Sequence, residues 1–469
     1  MTHKPLIHFG TSGWRGVIAD TFTDDNVRWA MAAIACYVRR QKLQNPSLIV
    51  GYDTRFRSEE FARLAVEVLS SYDIFSYFCT AATPTPTLAY EILCRQTAGG
   101  INFTASHNPP EYNGLKFSTA DGAPALPEVT KKIEAFVQKL MRRGKLPAVK
   151  QLLEEQIDPR LPYLELLAQK VDLAEIRRAR LRVIFDPLYG TGRGYLDDLL
   201  REQEVEVHTL HDRRDVLFGG QPPEPAEEFL SEAKQALRAL NAQVVLATDG
   251  DADRFGIIDA DGSFIAPNHI LALLLDYLVE TRPWKGGAAR SVATTHLIDA
   301  VAKYHNIPLY ETPVGFKYIG EMIKAGQIII GGEESAGLSI YGHVPEKDGI
   351  LACLLTAEMI ARRGTSLRQQ LETLFAKVGA YYPIRLNLHL EPEVQQRFLA
   401  RLETAPARFD NKQVLEINRT DGLKLILEDG SWVLLRLSGT EPVVRCYCEA
   451  HSQPELDTLV AATKKFIFE

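Results

Sequence analysis

The sequence predicts an α/β protein made of three similar mixed α/β domains followed by a smaller C-terminal α+β domain. Three observations carry this. A strand–helix–strand–helix–strand order recurs three times, over residues 48–104, 181–248 and 291–332. Each unit delivers its last strand into a polar loop rich in Gly, Asp, Glu or Ser. After Gly379 the pattern changes to short alternating strands and a hairpin. Alternating strands and helices call for a mainly parallel sheet with covering helices. The 469 residues have room for three or four domains of roughly 100–150 residues each. The chain divides into units 1–150, 151–265, 266–379 and 380–469, the first three stacked along one cleft.

The elements follow in order. GTSGWRG (10–16) is a Gly/Ser loop around Trp14 and Arg15, able to approach an anion through backbone N–H groups and equally able to be a plain turn. A helix runs over about 24–41, capped by Thr23 or Asp24. LIVGYDTR (48–55) is a strand and polar loop, and SEEFARLAVEVLSS (58–71) an amphipathic helix. DIFSYFC (73–79) is a strand, TLAYEILCRQ (87–96) a helix, and GGINFT (99–104) the strand that delivers Ser106. A polar helical tract around 128–178 bridges to the second unit. There the strands are at 181–186, 204–210 and 242–248, with helices at 194–203 and 229–240. The third unit reads as strand SVATT (291–295), helix 297–305, strand 307–312, helix 315–325 and strand QIIIGG (327–332). In the last unit YYPIRLNLHL alternates, a helix covers 392–403, a hairpin turns at Asp429-Gly430, and a final helix spans about 453–466.

Composition excludes several function classes. With 46% apolar and 24% charged residues the chain is ordinary for a globular protein. A net charge of −7 and the absence of a basic run argue against nucleic-acid binding. No stretch is long enough to span a bilayer, and the N-terminus has no apolar signal region. Six scattered cysteines form no CxxC, and Cys446 and Cys448 read as core. The expectation is a cytoplasmic protein without a membrane or nucleic-acid partner.

Asp249-Gly250-Asp251-Ala252-Asp253-Arg254 is the sharpest local signal, three carboxylates at alternate positions after the apolar strand VVLAT. At about 4 Å and an effective dielectric near 20, each pair would repel by about 4 kcal/mol. A divalent cation relieves this, and an all-oxygen set suits Mg²⁺. An EF-hand loop is excluded, because Arg254 and Ala260 stand where it needs Gly and Glu. Arg254 can hold phosphate oxygens bidentately. In TASHNPPEYNGLKF (104–117), Pro109-Pro110 breaks the chain after the strand and presents Ser106 at its carboxyl end. His107 is adjacent, and on an extended segment the two side chains would point apart, which argues against His107 activating Ser106. With a carboxylate cluster elsewhere, Ser106 Oγ suits carrying a phosphoryl group, with His107 and Lys116 facing the substrate. GGEESAG (331–337) places Glu333 and Ser335 for hydrogen bonds to sugar hydroxyls, although acids at a helix start explain the same pattern. RLSGTEPVVR (436–445) offers Arg436, Ser438, Gly439, Thr440 and Arg445 to an anion, or is an ordinary Gly turn. Lys317 and Lys347 lie on Gly/Pro loops and gain weight only from context.

Five motifs in this order, TSGWRG, TASHNPPEYNGLKF, DGDADR, GEESAG and RLSGTEP, resemble the α-D-phosphohexomutase family across essentially the whole chain. The resemblance implies three α/β domains and a fourth resembling the TATA-box-binding-protein fold. It implies that Ser106 is a phosphoserine and that Asp249, Asp251 and Asp253 bind Mg²⁺ together with its phosphate. Arg15, His107, Lys116 and Arg254 would support phosphoryl and proton transfer. Glu333 and Ser335, with Lys317 and Lys347, would contact the sugar. Arg436, Ser438, Gly439, Thr440 and Arg445 would hold the phosphate not being transferred. GEESAG, ETPVGFKYIG and PEKDG resemble the phosphoglucomutase branch, while the resemblance assigns no role to His296 in TTHLID.

The resemblance implies interconversion of glucose 1-phosphate and glucose 6-phosphate, with glucose 1,6-bisphosphate as intermediate and activator. Mannose or dual specificity is the alternative, since one epimeric hydroxyl is a modest discrimination problem. A phosphosugar phosphatase would have little need for a second phosphate clamp, and a noncatalytic sensor could discard Ser106. The general base is His107 or Lys116, and the chain is expected to act as a monomer or homodimer.

Overall fold

In a computed structural model, residues 7–10, 12–437 and 443–468 are described, apart from the side chain of Pro392. They form four sheets. In the first, Gly99–Phe103 pairs parallel with Ser47–Tyr52, which pairs parallel with Phe75–Cys79. On its other side Gly99–Phe103 meets Tyr112–Thr119 antiparallel. The same order recurs in the second sheet, where Val244–Thr248 lies between Arg182–Asp186 and the antiparallel Phe255–Asp259. It recurs in the third, where Ile328–Glu333 lies between Gly287–Ser291 and the antiparallel Gly337–Ile340. Each motif loop is thus the turn of a hairpin that closes one flank of a parallel ladder. The repeated element order read from the sequence is a repeated topology, and each sheet is mixed rather than purely parallel.

Several elements depart from the expectations. Trp14–Val17 is an edge strand paired with Tyr112–Leu115, not a free loop. Within the tract expected to be helical, Glu154–Ile157 is a strand that pairs with Ser76–Cys79, so the first sheet draws an edge from beyond residue 150. Both are four residues long and carry too little alternation to register. In the third unit the strand is Gly287–Ser291, and residues 292–295 are the turn after it. Small residues hid that strand, and the β-branched residues of SVATT fall in the turn.

The helix Asp24–Arg40 is capped by Thr23, whose side chain accepts the Asn26 N–H. Two helices escape periodicity altogether. Pro267–Thr281 and Gly349–Arg363 are buried on nearly every side, with every residue from Gly349 to Ile360 out of solvent. A helix apolar all round has no amphipathic signal. Both belong to one continuous core that also takes in Phe185, Leu246, Ile257, Ile330 and Leu338, strand residues of the second and third sheets. At roughly 1.5–3 kcal/mol per buried large aliphatic side chain, this shared core is the main bond between the two domains. Gly349 lies at a close approach of the two, because a Cβ there would meet the Arg254 carbonyl oxygen at 2.2 Å.

The fourth sheet is antiparallel and carries the expected hairpin, with Leu423–Leu427 paired to Trp432–Leu437. Cys446 and Cys448 face its core. It meets the third domain through Lys424, whose buried Nζ donates to the Val292 carbonyl and His296 Nε2, both at 2.8 Å, and lies 4.0 Å from the Trp432 ring. Glu311 is 3.8 Å away. His296 is therefore a junction residue, its N–H held by Glu449 Oε1 at 2.8 Å. Burial first, and then Arg290, push Lys424 down to about 7 from its ordinary 10.5. The unfolded chain then binds the extra proton between those values, so stability rises as pH climbs through that window. Between pH 7.5 and 9 the unfolding free energy is expected to gain roughly 2 kcal/mol from this group. Denaturant titrations of wild type and Lys424→Met at both pH values check it, and equal pH slopes would refute the assignment.

Candidate active site

The serine loop is the turn between Gly99–Phe103 and Tyr112–Thr119. Ser106 sits in the left-handed region at φ 54°, with 1% of its surface exposed. Its hydroxyl donates to Asp249 Oδ2 at 2.6 Å. Because the backbone there is not extended, His107 does not point away, and its Nδ1 lies 3.3 Å from Ser106 Oγ. The sequence argument for opposed side chains fails on that backbone conformation. Burial, with Arg254 and Arg15 nearby, holds the His107 ring well below the ordinary imidazole range.

The DGDADR turn joins Val244–Thr248 to Phe255–Asp259. Asp249, Asp251 and Asp253 are all buried, and one oxygen from each lies within 4.8 Å of the others. Two lysines from different domains offset them. Lys116, on strand Tyr112–Thr119, donates to Asp251 Oδ2 at 2.5 Å and Asp253 Oδ2 at 2.7 Å. Lys347 reaches Asp253 Oδ2 at 2.7 Å from the loop before helix Gly349–Arg363. The Thr85 hydroxyl also donates to Asp251, and its N–H bonds the Asp251 carbonyl at 2.9 Å. Burial, then Asp253 and Asp251, raise Asp249 well above the usual carboxylate range. Burial acts the same way on Asp253, but Lys116, Lys347 and Arg254 outweigh it and hold that carboxyl low. Asp251 Oδ1 and Asp253 Oδ1 are buried with no hydrogen-bond partner. Unmet acceptors on converging carboxylates fit an oxygen-loving divalent cation. A second grouping, Asp276, Glu280 and His305, does not fit one, because Arg363 and Lys377 already pair with both acids.

Gly250 lets the two loops touch, since a Cβ there would lie 2.6 Å from the Ser106 carbonyl oxygen. Around them, Arg15 donates to Asn108 Oδ1 at 2.5 Å. Burial and the neighbouring Arg254 push Arg15 down to about 10. Arg254 binds Asp249 Oδ1 through its own N–H at 3.0 Å, while its Nε is buried without a hydrogen bond, 4.0 Å from Asp253 Oδ1. Glu333 ends strand Ile328–Glu333 and accepts the Gly315 N–H at 2.7 Å. Burial and the adjacent Glu334 push it up to about 7. Ser335 follows in the hairpin turn, half-buried, and Lys317 is half-buried within electrostatic reach of Glu333. Ser106, His107, Arg15, Lys116, Arg254, Lys347 and the three aspartates thus form one connected group drawn from three domains.

Among the described residues, the fourth domain approaches the site through Arg436. Arg436 is tied to Asp421 Oδ1 at 2.8 Å and lies within electrostatic reach of Glu334. Arg445 is on strand Val443–Ala450, cross-strand from Arg436. Ser438, Gly439 and Thr440 lie outside the described residues. Sequence reading missed Thr85 and Arg55. Thr85 starts a helix and reads as a capping residue, and Arg55 lies in a polar loop 51 residues before Ser106. Nothing local marks either one.

Four family models match the chain in succession. Phosphoglucomutase/phosphomannomutase alpha/beta/alpha domain I matches residues 6–143, domain II 161–262, domain III 266–378, and the C-terminal domain 393–465. A phosphoglucomutase/phosphomannomutase of Thermococcus kodakarensis is 32% identical over 95% of each chain. A phosphoglucomutase of Komagataeibacter xylinus is 29% identical, covering 95% of this chain and 87% of that one. The crystal structure of a putative phosphomannomutase from Thermus thermophilus superposes with a TM-score of 0.87 at 31% identity over 99% of both chains.

Proposed function

Since this chain belongs to the phosphoglucomutase/phosphomannomutase family of phosphosugar mutases, we propose that it interconverts glucose 1-phosphate and glucose 6-phosphate. The observation that carries the reading is the Ser106 hydroxyl bonded to Asp249 inside a carboxylate group lined by cations from three domains. A hydroxyl so placed can carry a phosphoryl group whose charge the surrounding cations balance. Phospho-Ser106 gives its phosphoryl to the free hydroxyl of the bound sugar phosphate, forming glucose 1,6-bisphosphate. The intermediate turns over in the cleft, and its other phosphoryl returns to Ser106.

Asp249, Asp251 and Asp253, with the Ser106 phosphate, would hold Mg²⁺, which when bound supplies charge neutralisation for the transferring oxygens. Arg254 and Arg15 grip those oxygens. Lys116 spends two of its donors on Asp251 and Asp253, so His107 is the group left to take the sugar hydroxyl proton. Glu333 and Ser335 read sugar hydroxyls with Lys317 and Lys347 beside them. Arg436, Ser438, Gly439, Thr440 and Arg445 hold the phosphate at rest.

The GEESAG loop and the likeness to a phosphoglucomutase at 29% identity support glucose, while relatives named phosphoglucosamine mutase give the amino sugar a place in the test. A coupled assay compares glucose 1-phosphate, mannose 1-phosphate and glucosamine 1-phosphate, each with its bisphosphate. Glucose 1-phosphate is expected to lead in kcat/KM by about tenfold or more, the scale of one well-placed hydroxyl contact. A higher value for either competitor reassigns the substrate. Phosphate release without isomerisation would instead mark a phosphatase.

A further inference from the structure

Arg55 does not face the cleft, yet it organises the loop that bears Ser106. Its side chain is fully buried. Nη2 donates to the carbonyls of Ser106 at 2.7 Å and Asn108 at 2.5 Å. Nη1 donates to those of Pro109 at 2.8 Å and Tyr112 at 3.1 Å. Nε lies 3.2 Å from Asp53 Oδ2, an ion pair without hydrogen-bond alignment. Asp53 Oδ1 in turn accepts the Arg55 N–H at 2.9 Å and the Ser58 hydroxyl at 2.7 Å. Phe218, from the second domain, covers the guanidinium at 5.0 Å.

The loop needs such a hub. The peptides Asn108–Pro109 and Pro109–Pro110 have no N–H, so no ladder can order them; within the loop the Tyr112 N–H meets the Pro109 carbonyl at 3.1 Å, and Arg55 meets it together with the Asn108 carbonyl. Four carbonyls converging on one point call for a planar fork of donors. Lysine offers only three donors, all from one atom. Ser106 at φ 54° is also in a state that a non-glycine residue keeps only when its surroundings hold it there. Drawing the Ser106 carbonyl toward Arg55 turns the His107 N–H the opposite way, because the peptide is planar and trans.

We infer that Arg55 is a positioning residue for phosphoryl transfer: by gathering four main-chain carbonyls it holds the strained serine turn so that Ser106 Oγ meets the carboxylate group. The inference rests on Ser106 being the phosphoryl carrier proposed above. A merely structural arginine would affect only how much protein folds. A positioning one lowers the rate of folded enzyme while sugar phosphate binding, which uses other residues, stays put.

The test uses the full-length enzyme with Arg55→Lys and Asp53→Asn. The second variant keeps an acceptor for Ser58 but sets an amide against Arg55 Nε, and it serves if Arg55→Lys does not fold. Phosphoryl transfer to Ser106 from labelled glucose 1,6-bisphosphate is followed beside steady-state turnover, both per folded molecule. Arg55→Lys is expected to lower kcat by about 100-fold and Asp53→Asn by about tenfold, with KM within threefold and labelling slowed by the same factors. Labelling and kcat at wild-type level in a folded variant, or an effect confined to KM, overturns the inference alone. A wild-type enzyme whose Ser106 takes no label overturns the phosphoserine reading, and this inference with it.

Discussion

Replacing Ser106 by alanine is expected to abolish mutase turnover, lowering kcat by about four orders of magnitude or more, while the protein stays folded. The loss follows from chemistry, because alanine has no atom to carry the phosphoryl group. The fold survives because the side chain makes one strong bond, to Asp249 Oδ2, and the other Asp249 oxygen keeps the Arg254 N–H. Losing one such bond costs on the order of 1–3 kcal/mol. Turnover is read with glucose 1-phosphate and bisphosphate, and folding by thermal unfolding. A folded Ser106→Ala enzyme that still isomerises would sink the phosphoserine assignment.

The second large effect is expected at the carboxylates. Asp251→Asn keeps the shape of the side chain and an acceptor for Thr85 and Lys116, but removes a charge and one of the two unmet oxygens. Mg²⁺ affinity is expected to fall by about tenfold or more and kcat by about 100-fold, the range usual when a metal carboxylate or its support is altered. Added Mg²⁺ should raise the melting temperature of wild type by mass action and leave the variant nearly unmoved. Calorimetric titration with the metal alone separates binding from turnover. Equal Mg²⁺ affinity in the two proteins would remove Asp251 from the proposed ligand set.

Much of this was legible in the sequence because it is local. The three motif loops stand out where apolar strands run into Ser106, Asp249 and Glu333, and the repeated element order announces three like domains. What was not legible is relational. Arg55 and Thr85 act through partners far along the chain, and neither stands in a recognisable spacing. The nearness of Ser106 and His107 is hidden in the sequence because only the folded turn reveals the positive φ at Ser106. Helices Pro267–Thr281 and Gly349–Arg363 carry no periodic signal, since burial on all sides erases the contrast between faces. His296 lies at a domain junction, packed on Trp432 with ring centroids 5.3 Å apart, a contact the sequence does not announce.

The helices laid between the second and third sheets also bear on inheritance. Those two domains share a single core, whereas the first and fourth each have a core of their own. Recombination between relatives can therefore exchange the first or the fourth domain more readily, provided the smaller contacts are kept, such as Val292 and Ala293 against Trp432, Leu434 and Tyr447. The middle pair travels as one block, because a crossover between them would join halves of two interiors that never co-evolved.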